Sequence, residues 1–123
     1  MAISYRHTQL NHRDANEPDI IAEFGRLGAS CWRLQASLHK GFPDLLLGHS
    51  GTFALVEVKQ EGKPLKPDQT ATRDWFLSMG FLWFLADSPD DCQTILQSID
   101  QLISAQARSR EYYACAAEML EDR

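Results

Sequence analysis

No stretch of this chain is apolar for long enough to cross a bilayer. The two most apolar runs, Phe42 to Leu47 and Phe81 to Ala86, fall far short of the roughly 20 residues that a spanning helix needs. The N-terminus also lacks the charged-then-apolar pattern of a secretory signal, so a cytoplasmic protein with no membrane partner is the simplest expectation. Cysteine is scarce: Cys31, Cys92 and Cys115 are odd in number, widely spaced and free of any CxxC pairing. That pattern points away from a disulfide framework and from a zinc site, and leaves three buried or incidental thiols. Internal repeats and low-complexity tracts are missing as well. What remains is an ordinary globular composition, 123 residues with 44% hydrophobic and 10% aromatic content, enough for one domain with a real core.

The net charge of −5 argues against a nonspecific nucleic-acid coat protein. Charge is unevenly spread, however. Residues 31–73 hold six cations (Arg33, Lys40, Lys59, Lys63, Lys66, Arg73) against four carboxylates, a net of +2, whereas residues 74–123 hold three cations against nine acids, a net of −6. A basic middle that becomes more basic once its acids are neutralised by a cation is what a local phosphate-binding face requires. Scattered lysines of this kind are, taken alone, usually no more than a solvated surface.

Periodicity and punctuation divide the chain into elements. Asn16 is a suitable N-cap, and Pro18 opens a helix through Leu27 with an Ile20, Ile21, Phe24, Leu27 stripe that Gly28 closes. Cys31 to Leu34 reads as a strand, followed by a polar connector through Lys40. Leu45 to Leu47 and Thr52 to Lys59 read as a hairpin joined by Gly48-His49-Ser50-Gly51. After a loop, Pro67 starts a second helix with Thr72, Trp75, Phe76 and Met79 on one face, ended by Gly80. Phe81 to Ala86 reads as a buried strand. Ser88-Pro89-Asp90-Asp91 then starts a helix continued by Ile95, Leu96, Ile99, Leu102 and Ile103, and Arg110 to Leu120, with Tyr112, Tyr113 and Ala116, reads as a separate final helix. The order helix, strand, strand, strand, helix, strand, helix specifies an α/β domain, with a right-handed parallel step from the third strand to the fourth.

The hairpin carries the chemistry. Gly41-Phe42-Pro43-Asp44 leads into its first strand and Glu57-Val58-Lys59 ends its second. A register placing Leu47 opposite Thr52 sets Asp44 opposite Leu55, on one face with Phe53, Glu57 and Lys59, while Ala54, Val56 and Val58 pack on the other. Asp44 and Glu57 are then diagonal neighbours about 7–8 Å apart. Two carboxylates so placed suit a hard divalent cation, Mg2+ or Mn2+. An ExK triplet alone carries little, being expected by chance roughly 0.4 times in a chain of this length, and Asp44 is also a plain turn residue after Pro43. Glu17, at the first turn of the first helix, reads either as favourable dipole electrostatics or as a third carboxylate at the mouth of the site. Gln69 is placed to hydrogen-bond Lys59 or a phosphate oxygen, or else simply faces solvent. Lys40, Lys63 and Lys66 are candidates to grip a DNA backbone as point charges.

Taken together, Glu17, Gly41 to Asp44, Glu57-Val58-Lys59 and Gly62-Lys63-Pro64-Leu65 with Gln69 resemble the PD-(D/E)xK nuclease superfamily, and within it the virus-type replication-repair nuclease, or VRR-Nuc, subgroup. Phe42 departs from the small or branched residue usual between that Gly and Pro. The resemblance runs from about Glu17 to Ala86 and implies a restriction-endonuclease-like α-β-β-β-α-β core with a mixed sheet. The whole chain would be a single domain, its core over about 14–87 and its C-terminal helical extension over about 88–121. It implies Asp44, Glu57 and the Val58 carbonyl as ligands of Mg2+ or Mn2+, Lys59 as the catalytic lysine, and Glu17 and Gln69 as auxiliary residues. The implied activity is metal-dependent DNA cleavage by a homodimer, structure-selective on branched DNA in the manner of Holliday-junction resolvases, in the cytoplasm of a bacterial or phage-infected cell. A linear-duplex or flap nuclease, and a DNA-binding scaffold without turnover, are the rival expectations.

Overall fold

The computed structural model describes residues 14–35 and 39–121, with the side chains of Tyr112 and Tyr113 left out. Both tyrosines lie within a described helix, and only the packing expected of their side chains lies outside what is described. The element order is α1 (Glu17–Arg26), β1 (Ser30–Arg33), β2 (Leu45–His49), β3 (Thr52–Val58), α2 (Pro67–Ser78), β4 (Trp83–Ala86) and α3 (Asp90–Glu121). The expected α/β architecture is thus present, as a four-stranded mixed sheet in the order β1-β2-β3-β4. β1, β2 and β3 pair antiparallel, and β4 joins β3 in parallel.

One face of the sheet carries the core. Leu45 and Leu47 of β2, Ala54, Val56 and Val58 of β3, and Ala86 of β4 pack against Ile20 and Phe24 of α1 and Cys92, Ile95, Leu96 and Ile99 of α3. The alternation of these residues along β2 and β3 is the period of two that a half-buried strand requires. The other face is only partly covered by α2, whose Phe76 makes edge-to-face contacts with Phe42 and Phe81 at 5.6 and 5.8 Å. Trp32 and Phe53 on that face are about 70% exposed.

Four expectations are corrected. The hairpin turn is two residues, Ser50 and Gly51, both with positive φ (52° and 74°), so β2 runs on to His49 and Thr52 faces His49 rather than Leu47. Two consecutive positive φ values match the right-handed twist of a tight hairpin, which a four-residue loop does not. The segment Phe81 to Ala86 is not a buried strand: β4 is the sheet's edge, only Ala86 is fully buried, and Phe81 and Leu85 are exposed. On α2, Thr72 and Phe76 are buried but Trp75, and Met79 just past its end, are exposed, because the helix covers the sheet along a narrow line.

The C-terminal helices are one. Residues 90–121 form a single helix of 32 residues, about 48 Å long, that leaves the sheet after Ile103. Its packed half supplies the costly nucleus, and the alanine-rich continuation (Ala105, Ala107, Ala114, Ala116, Ala117) needs only propagation. None of the described helices is long and apolar enough to cross a membrane.

Gly41 locks the turn before β2 against α2. Its φ is +84°, and a Cβ there would lie 2.3 Å from the Asp68 carbonyl oxygen. Gly41→Ala is expected to cost about 2 kcal/mol or more, through positive φ and backbone overlap together, and thermal unfolding of the variant beside wild type measures it.

Candidate active site

The site forms where four elements end: β2 begins, β3 stops, and α1 and α2 start. Leu45 opposite Val56 sets the last rung of the β2–β3 ladder, and the same register carried one residue further puts Asp44 directly opposite Glu57. The two-residue shift from the expected register preserves the parity of the faces, so the two carboxylates still share a face but are opposed rather than diagonal. Asp44 Oδ2 accepts the Val58 amide at 2.8 Å, which draws the acidic turn onto the end of β3. Leu34 donates to the Asp44 carbonyl at 2.8 Å and anchors it from β1.

Glu57 is 2% exposed and Lys59 8%. Alternation along β3 puts both on the face opposite Val56 and Val58, and the Lys59 amide continues the parallel ladder by donating to the Ala86 carbonyl at 3.0 Å. Glu57 Oε1 accepts a bond from Gln69 Nε2 at 2.9 Å, and Gln69 Oε1 accepts the Lys66 amide at 2.9 Å. Gln69 thus bonds neither Lys59 nor an open site. It completes the start of α2 with one end and holds the Glu57 carboxylate with the other, being three residues into the helix where a side chain reaches back.

Burial pushes the Glu57 carboxyl up from its ordinary 4.5 to about 9. Charge repulsion from Asp44, a hydrogen bond shared with it and the more distant Asp14 carboxylate act in the same direction, and Lys59 opposes them. Metal-free, the pair therefore holds a proton at neutral pH, as two opposed carboxylates in a poorly hydrated place must.

Glu17 is buried at the first position of α1, and its Oε2 lies 3.8 Å from Nε of Arg33 on β1. Among the described residues no three His, Cys, Asp or Glu side chains gather as a metal-holding group, so the acidic centre is the Asp44–Glu57 pair, with Glu17 beside Arg33. Lys40, Lys63 and Lys66 are exposed. Lys63 and Lys66 lie on the loop between β3 and α2, and Lys40 lies before Gly41, where its carbonyl accepts the Thr72 hydroxyl at 3.4 Å.

Sequence reasoning missed three neighbours of the site. Asn16 precedes α1 as expected of an N-cap, yet its side chain makes no capping bond and turns instead to the ends of β3 and β4. Arg33 is, in sequence, only one of six cations in the basic middle. Asp14 has no motif around it, and nothing short of the folded chain brings it near Glu57.

Glu57→Gln tests the strain in this pair. A carboxyl raised in the folded state gives its full stability contribution below 4.5, and loses it as pH climbs toward 9. Wild type without metal should lose several kcal/mol between pH 5 and pH 9, at up to about 1.4 kcal/mol per pH unit, and the isosteric amide should lack that slope. Urea unfolding across the range reads both.

No family profile matches the chain, and no curated protein does. A solved structure described as a VRR_NUC domain superposes on it with a TM-score of 0.57 at 24% identity, covering 68% of this chain and 97% of that one. The chain therefore has the fold of a VRR_NUC domain, and its hairpin acids stand at the end of that fold's sheet.

Proposed function

We propose that the protein is a Mg2+- or Mn2+-dependent DNA endonuclease hydrolysing phosphodiester bonds. The observation that carries this reading is the half-buried Asp44 opposed across β2 and β3 to the buried Glu57, with the buried Lys59 on the same face. Two carboxylates held this close fit a divalent cation, because a dication removes the repulsion that otherwise keeps a proton there. The nuclease domain whose fold the chain shares supports the same choice.

Asp44 and Glu57 would hold the ion, with the Val58 carbonyl as a third, backbone ligand and Glu17 in support. The chemistry such an ion supplies when bound is Lewis-acid polarisation of the scissile phosphate and acidification of the attacking water. Lys59 orients the nucleophile and balances charge developing on the phosphate oxygens. Gln69 fixes the Glu57 carboxylate so that it faces Asp44 rather than solvent. Lys40, Lys63 and Lys66 supply exposed positive charge for the DNA backbone on the segments flanking the site.

Branched DNA is the proposed substrate and a homodimer the proposed working form, since two copies related by a twofold axis can cut paired strands. The half of α3 beyond Ile103 lies off the sheet with Met119 and Leu120 exposed, and is the proposed contact between copies.

The protein should cleave DNA only with Mg2+ or Mn2+ added, and Asp44→Asn, Glu57→Gln and Lys59→Met should each lower the rate by at least about 1000-fold. Unchanged cleavage by all three ends the nuclease reading. A panel of linear duplex, flap and four-way junction reports the shape preference, and preferred cutting of linear duplex overturns the branched-DNA assignment. Metal-independent, salt-sensitive DNA retention without cleavage would identify a scaffold instead. Sedimentation at micromolar concentration should show a dimer, and a monomer alone overturns the homodimer.

A further inference from the structure

We infer that Asn16 is a positioning residue for Lys59, tying the start of α1 to the ends of β3 and β4 so that the lysine meets the carboxylate pair. This rests on the phosphodiesterase reading above.

Asn16 stands where an N-cap belongs, directly before Glu17, but its backbone is helical (φ −83°, ψ −7°) and its side chain caps nothing. Its Nδ2 donates to the Lys59 carbonyl at 2.9 Å and to the Asp87 carbonyl at 2.7 Å. One amide nitrogen has two hydrogens, and both are used. The two carbonyls belong to neighbouring parallel strands one residue beyond their last paired positions, Val58 and Ala86, where the ladder would otherwise open. A side chain from a third element replaces the missing rungs.

For Lys59 the consequence is direct. Its amide donates to the Ala86 carbonyl at 3.0 Å and its own carbonyl accepts from Asn16, so the main chain is fixed on both sides of the Cα. The direction of its Cα–Cβ bond is thereby set toward the face of Glu57. Without the carbonyl contact Lys59 would be the first residue past the strand, held only through its amide and free to rotate about φ, which swings its carbonyl and its Cβ together, and a small rotation there moves the end of a four-carbon side chain by far more than the tolerance of a reacting geometry. The second bond ties Lys59 to a turn that is itself rigid, since the Asp87 and Ser88 amides both donate to Asp91 Oδ2, at 2.9 and 3.2 Å.

An amide is the side chain that this place requires. An aspartate of the same shape presents oxygen to two carbonyl oxygens. A serine keeps the preference for a helix start but is too short to span the two strands. Asn16→Ser and Asn16→Asp therefore separate the clamp from helix capping.

The experiment uses the full chain with Mg2+ on the best-cut DNA of the panel, at a temperature where each variant is fully folded. Both variants should lower kcat about 10- to 100-fold with KM within about 3-fold of wild type. Amide hydrogen exchange, measured without metal or DNA, should show faster exchange at Lys59. An unchanged kcat overturns the inference, and so does a loss carried wholly by KM or by the unfolded fraction. If wild type itself fails to cleave, the nuclease reading falls, and an unchanged Lys59 exchange rate in the variants then overturns the clamp separately.

Discussion

The site depends first on a turn that lies at the opposite end of its hairpin. Ser50 and Gly51 both take positive φ, and this fixes His49 opposite Thr52 and, by counting along the ladder, Asp44 opposite Glu57. Neither acid can turn away from the other. The residues that flank them, Leu45, Val56 and Val58, are fully buried on the core face against α1 and α3, so a slip of one residue would turn three core side chains to the opposite face and the acids into the apolar core. Burial of those apolar groups, each worth about 1.5–3 kcal/mol, is what holds two carboxyl groups together.

The acids themselves are held unequally. Asp44 accepts a main-chain amide from Val58, whereas Glu57 meets the Gln69 carboxamide and Asp44 itself and lies deeper. Burial and the neighbouring Asp44 raise the Glu57 carboxyl, so without metal the pair holds one proton between its two members. Stability and the proposed chemistry pull in opposite directions here, because burial disfavours the ionised Glu57 that a bound cation would need. A neutral amide at position 57 suits the folded chain better and the proposed reaction worse.

Much of the fold was legible because it follows from local rules. The stripe of Ile20 and Phe24, the proline starts of α1 and α2, and the alternation through Thr52 to Val58 each specify an element without help from the rest. The pair Asp44 and Glu57 was legible for the same reason, since side-chain parity survives a register error of two. What was hidden depends on contacts distant in sequence. Asn16 looks like a cap from its neighbours alone, and only the strand ends 43 and 71 residues away give its amide another use. Gln69 looks solvated until the start of α2 lies over Glu57. The single long α3 was hidden because the segment around residue 107 carries neither a stop signal nor a packed face, and helix continuity there follows from the turns before it.

The site is thus made of element ends, and each end is fixed by a group belonging to another element. Val58 holds Asp44, Gln69 holds Glu57, Asn16 holds Lys59, and Gly41 keeps the acidic turn against α2. Strand interiors contribute stability through burial and are tolerant of apolar exchange of similar volume. The ends contribute little burial but set direction, so replacing one moves a side chain without unfolding the domain. That division explains how a domain with 24% identity to a VRR_NUC structure keeps the same frame, because the frame is a pattern of apolar alternation that many sequences satisfy. The few polar bonds that cross between element ends are the part that an unrelated sequence would have no reason to reproduce.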